Sequence, residues 1–75
     1  MPKLPVLSGD ELIRAFERMG FVFVRQRGSH VIMKRTWPEG VQGCSIPRHN
    51  ELATGTLRGI LRQAEVTTDD LLEHL

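Results

Sequence analysis

Seventy-five residues, 40% of them hydrophobic and 25% charged, fit one small globular domain rather than a disordered chain. A chain of this length buries about 60–65% of the surface that its unfolded form exposes, so its core is thin. The single Cys44 excludes an internal disulfide, three scattered histidines give no zinc-ligand spacing, and no run approaches membrane-spanning length.

These exclusions lead to the expectation of a cytoplasmic protein without metal, cofactor or membrane attachment. The stretch Met1 to Leu7, with two prolines and no long apolar run, is not expected to direct export. The net charge of +1 conceals an uneven distribution. Residues 1–24 balance, residues 25–62 carry seven basic against two acidic side chains, and residues 63–75 carry four acids and no Lys or Arg. A basic central segment suits an anionic partner.

Ser8-Gly9-Asp10-Glu11 fits a capping box, in which the Ser hydroxyl accepts from a free backbone N–H and the Glu three residues on reaches back. Leu12, Ile13, Phe16 and Met19 follow at helical spacing, and Gly20 is placed to end the helix in left-handed conformation, which predicts a helix over 9–19. Phe21 to Gln26 and Val31 to Lys34 are rich in β-branched and aromatic residues, and the intervening Arg27-Gly28-Ser29-His30 reads as a hairpin turn with His30 opening the second strand. Gly28 supplies the positive φ such a turn needs.

Thr36 to Gly40 reads as a loop around Pro38, within which Trp37 either folds back as a lid on the core or stacks on a base. Val41 to Ile46 is expected to form a third strand ended by Pro47. Pro47 to Ala53 follows as an irregular connection carrying Arg48 and His49. Thr54 is the expected N-cap of a second main helix, in which Leu57, Ile60, Leu61 and Ala64 form an apolar stripe beside Arg58 and Arg62. Thr67-Thr68-Asp69-Asp70 offers another capping box, before a short helix carrying Leu71, Leu72 and Leu75.

The expected architecture is therefore α+β: a helix, a three-stranded antiparallel sheet, a second helix and a short C-terminal helix, with the two main helices on one face of the sheet. It forms a single domain over 1–75, with a core of about 8–66 and an acidic helical tail over 67–75. The order of elements resembles the double-stranded-RNA-binding domain, which recognises RNA through backbone and 2′-hydroxyl contacts.

Groups able to do chemistry are few. His74 lies in the acidic tail, and Ser29 is better placed to shape the turn than to act as a nucleophile beside His30. That leaves an imidazole amid arginines. Such a set suffices for RNA cleavage if a base removes the 2′-hydroxyl proton, an acid protonates the 5′-oxygen and cations steady the phosphate; positioned acid–base groups contribute about 10²–10⁴-fold. At the start of the second main helix, unpaired amides with Gly55, Thr56 and Arg58 offer a further place for phosphate.

Gly20-Phe21, Arg27-Gly28-Ser29-His30, Ile46-Pro47-Arg48-His49 and Gly55-Thr56-Leu57-Arg58-Gly59-Ile60-Leu61 together resemble the HicA toxins of type II toxin–antitoxin systems, over about Ser8 to Val66. The resemblance implies an RNA-binding-domain-like fold, mRNA-cleaving endoribonuclease activity, a catalytic histidine at the Gly-Ser-His motif, here His30, and a HicB antitoxin that covers the site. On that reading His30 is general base or acid, Gly28 and Ser29 set the turn, and Arg27, Ser29, Lys34, Arg48, Thr56 and Arg58 contact RNA phosphate. The competing reading is a non-catalytic RNA-binding module, or a partner-binding subunit of the same fold.

Overall fold

The computed structural model describes residues 3–75; Met1 and Pro2 of the amino-terminal stretch lie outside the described residues. Helix α1 (Gly9–Arg18) opens on the expected capping box. Ser8 Oγ accepts the Glu11 amide at 3.0 Å, while Glu11 Oε1 accepts the Ser8 amide at 2.9 Å. Leu12, Ala15 and Phe16 face inward, and Gly20 at φ +98° reverses the chain so that Phe21 packs on Phe16 with ring centroids 4.8 Å apart.

Strands β1 (Val22–Arg27), β2 (His30–Trp37) and β3 (Gly40–Pro47) form one antiparallel sheet in the order β1-β2-β3. The first hairpin turns on Gly28 and Ser29, with Gly28 at φ +58° as its turn position requires. The second hairpin is tighter than the sequence reading. The expected loop over Thr36 to Gly40 contracts to Pro38-Glu39, because Thr36 and Trp37 continue the ladder opposite Val41 and Gly40. A bulge between Phe23 and Arg25 leaves Val24 without a ladder partner.

Helices α2 (Thr54–Ala64) and α3 (Thr68–Glu73) complete the chain. Thr54 is not the cap of α2: Ala53 takes the extended N-cap conformation, Thr54 is already helical, and no side chain caps this end. Thr67 caps α3 by accepting the Asp70 amide at 3.0 Å. The core lies between the sheet and the helices. Val31, Met33, Cys44 and Ile46 from the sheet meet Leu12, Ala15 and Phe16 of α1 and Leu57, Ile60, Leu61 and Ala64 of α2, and Leu71 of α3 closes one side. Burial pushes the Cys44 thiol up to about 12.

Trp37 joins this core through an arginine. The Arg35 guanidinium lies 4.5 Å from the Phe21 ring centroid and 4.2 Å from that of Trp37. Arg35 also donates to the Met19 carbonyl at 3.0 Å and to Gln42, which receives the Trp37 indole N–H and itself donates to Glu65 at 2.9 Å. The indole is thus the outer plate of a stack that closes one end of the sheet, which is nearer to the lid than to a free stacking platform. Among the described residues no helix is long and apolar enough to cross a membrane.

Candidate functional site

Strand alternation fixes which side chains reach solvent. Val31 and Met33 of β2 point to the helices, so His30, Ile32 and Lys34 point to the open face. Across the β1 ladder Arg27 lies opposite His30, and Arg25 opposite Ile32. Directly opposed residues share a face with Cβ atoms about 4.5–5.5 Å apart, so the open face carries Arg25, Arg27, His30 and Lys34. All four are exposed.

His30 sits where the ladder ends, between Arg27 of β1 and Pro47 of β3. One further backbone bond extends the pairing past the strands: the Arg48 amide donates to the Ser29 carbonyl at 2.7 Å. That step delivers His49 to the same end of the molecule. The two imidazoles stand 6.5 Å apart between ring centroids with their planes at 74°, and both residues are exposed. The connection bearing His49 is tied on its other side to the start of α1. Gly9 N–H donates to the His49 carbonyl at 2.9 Å, and Leu52 N–H to the Leu7 carbonyl at 2.8 Å.

Arg48 turns away from the histidines to the helix side of the hairpin. Its Nε donates to Asp10 Oδ1 at 2.8 Å and its Nη2 to Asp10 Oδ2 at 3.3 Å, with Nη1 3.4 Å from Gln26 Oε1. The hydrogen bond from Arg48 holds the Asp10 carboxyl below its usual range. Arg48 therefore reaches solvent as half of a paired charge. The groove beside it, about 270 Å³ and lined by Ile13, Arg14, Phe23 and Val31 among others, does not include His30. A second hollow of about 460 Å³, around Arg35, Trp37 and Glu65, is also remote from the histidines. The histidine end is an open surface, suited to an extended ligand rather than a small enclosed one.

The sequence-derived residues thus fall into three groups. Arg27, Gly28, Ser29 and His30 are gathered at the first hairpin. Lys34 shares the face of His30 but lies four residues along β2, roughly 13 Å away at strand rise. Thr56 and Arg58 are exposed on α2, whose buried stripe packs on the helix-bearing side of the sheet, opposite the face His30 presents. In the sequence His49 stood out as an imidazole in an irregular connection and as the last residue of the Ile46-Pro47-Arg48-His49 motif, with no role attached to it. Nothing in its spacing announces that the ladder places it beside His30. Among the described residues, no group of three or more His, Cys, Asp or Glu is placed to hold a metal ion.

The class defined by this layout is an α+β domain of the double-stranded-RNA-binding-domain type that presents an uncovered basic sheet face. A family model described as the HicA toxin of bacterial toxin–antitoxin systems matches residues 9–66, and the chain belongs to that family. Its role is that of the toxin, with a cognate antitoxin as partner. No curated relative matches the chain.

Proposed function

We propose that this toxin is a metal-independent mRNA endoribonuclease in which His30 transfers a proton at the scissile phosphodiester. The observation that carries the reading is the position of His30: an exposed imidazole fixed at the end of the central strand, with Arg27 opposite it on the same open face, in a chain of the HicA family. RNA lying along that face meets Arg27 beside the histidine and Arg25 and Lys34 further out. Cations there offset phosphate charge and steady the pentacoordinate phosphorus as the 2′-oxygen attacks. Gly28 and Ser29 hold the turn that aims His30. On the helix-bearing side of the sheet, Thr56, Arg58 and the uncapped amides of α2 form a second place for phosphate.

The work takes place in the cytoplasm, where mRNA is found, and the antitoxin is a HicB-like protein that lies over the open face and blocks His30. Arg48 shapes the site through its backbone and adds only part of a charge, because Asp10 engages two of its nitrogens.

The test is expression of wild type and His30→Ala side by side, with RNA integrity and growth as readouts, and the purified proteins assayed with and without EDTA. Wild type is expected to arrest growth and to cut RNA in EDTA. A folded His30→Ala is expected to do neither. Cleavage that persists in His30→Ala sinks the catalytic assignment, and RNA binding without cleavage by wild type supports the binding-module reading instead.

A further inference from the structure

His30 can move one proton, but transesterification of RNA needs two to move. The 2′-hydroxyl loses a proton as its oxygen attacks phosphorus, and the 5′-oxygen gains one as the P–O5′ bond breaks. The products are a 2′,3′-cyclic phosphate and a 5′-hydroxyl, so no water, metal or oxidant enters the balance. We infer that His49 is the second proton-transfer group. The inference rests on the reading of His30 given above.

Three observations converge on His49. First, its ring is the aromatic neighbour of His30, with centroids 6.5 Å apart and planes at 74°. Each imidazole reaches an oxygen about 2.6–3.2 Å from its nitrogen, so one phosphate group lying between the rings can be touched from both sides. Secondly, the backbone under both rings is held. The Arg48 amide bonds the Ser29 carbonyl at 2.7 Å, and the His49 carbonyl receives the Gly9 amide at 2.9 Å. Such anchoring preserves the separation of the rings, as positioned acid–base catalysis requires. Thirdly, both residues are exposed, so their edge-to-face contact adds little to folding, and the pair stands open on the side where Arg27 gathers anions.

Imidazole as a class titrates between pH 5 and 8, so a base–acid pair of two histidines gives a bell-shaped dependence of kcat/KM on pH. One limb reports the group that must be free of its proton, the other the group that must hold one.

The experiment measures that profile for wild type, His49→Ala, His49→Gln and His30→Ala on one oligoribonucleotide cut by wild type. It is repeated on the same oligonucleotide carrying a bridging sulfur in place of the 5′-oxygen at the mapped bond. Sulfur leaves as a thiolate and needs no acid.

For both His49 variants, kcat/KM on the all-oxygen substrate is expected to fall about 10²–10⁴-fold. They should lose one limb of the bell, any residual cleavage by His30→Ala under single-turnover enzyme excess should lack the other, and the sulfur substrate should restore whichever variant lacks the acid. Unchanged thermal unfolding of the His49 variants confirms that the loss is local. His49 variants that cut within tenfold of wild type, or that lose rate while keeping both limbs, overturn the inference and leave His30 acting with another partner. If His30→Ala itself cuts like wild type, the failure belongs to the primary reading and not to His49.

Discussion

The amide of Gly9 donates to the carbonyl of His49 at 2.9 Å, and a Cβ built on Gly9 falls 2.0 Å from the Pro47 carbonyl oxygen. The first residue of α1 therefore lies against the backbone that carries His49, at a distance only glycine allows. The start of a helix and the connection thirty-eight residues later in the chain are one structural unit, and the two imidazoles depend on it.

Gly9→Ala consequently forces that backbone apart. The methyl meets main chain, not a flexible side-chain end, so overpacking of about 1–3 kcal/mol is expected. Thermal unfolding measures the stability loss. If the connection is pushed away from α1, kcat/KM on RNA should fall further than the loss of folded protein accounts for at a temperature where the variant remains folded. A Gly9→Ala protein with wild-type stability would mean that the contact relaxes at no cost.

Two acidic groups at the same end make the fold sensitive to acid. Asp10 is held below its ordinary value of 3.8 first by the Arg48 hydrogen bond, and Glu11 below 4.5 first by the Ser8 backbone bond. A carboxyl whose folded value is depressed contributes stability above its unfolded value and loses it as pH falls through the folded one. Tm is therefore expected to be flat from neutral pH down to about 5 and to decline below about 4.5, with Asp10→Asn and Glu11→Gln together flattening the decline. Both groups are exposed, so the effect is modest. Asp10→Asn also frees Arg48, and RNA affinity should rise, with the salt dependence of binding steeper by about one counterion.

Arg35 anchors the opposite end of the sheet. Stacked between Phe21 and Trp37 and bonded to Met19 and Gln42, it joins β2, β3 and the end of α1, and through Gln42 it reaches Glu65 at the end of α2. Arg35→Lys keeps the charge but loses the planar fork and the double stacking, and a destabilisation of about 1–3 kcal/mol is expected by chemical denaturation. Cleavage at a permissive temperature should persist, since the stack lies at the far end of β2 from His30. Loss of cleavage in a stably folded Arg35→Lys would show that the two ends are coupled.

The parts of the fold legible in the sequence are those set by local chemistry. Ser8 and Glu11 cap a helix with their own side chains, Gly20 and Gly28 take the positive φ that their turns demand, and the stripe Leu57, Ile60, Leu61 and Ala64 is the buried side of α2. What sequence concealed depends on pairing between distant segments. The bulge at Val24 is invisible because Val22, Phe23 and Val24 are all apolar and the register is set by β2. Pro38 and Gly40 announced a loop, whereas pairing of Thr36 and Trp37 with β3 reduced it to two residues. Thr54 has the side chain of a cap, yet it is already helical, and the cap position falls one residue earlier, on the extended Ala53. At the site, His30 was legible because a turn precedes it. The engagement of Arg48 by Asp10 and the approach of His49 to His30 were not, since each joins segments many residues apart.

The early helical start of α2 bears on RNA binding. No side chain caps the end at Ala53 and no acid lies in the first turn, so the amides of the first turn and the positive end of the helix dipole face outward unopposed. Gly55 has open space around it, and Arg58 is exposed one turn into the helix. If RNA phosphate docks there, Arg58→Ala should weaken binding alike for all RNA sequences and reduce the slope of log affinity against log salt by about 0.7–0.9. The measurement is made in a His30→Ala background, so that cleavage does not distort the titration, and at several salt concentrations. Helix content should be unchanged, because Leu57, Ile60, Leu61 and Ala64 hold α2 to the sheet without Arg58. An unchanged slope would move the RNA track wholly onto the open sheet face, along Arg25, Arg27 and Lys34. The antitoxin would then have only that face to cover.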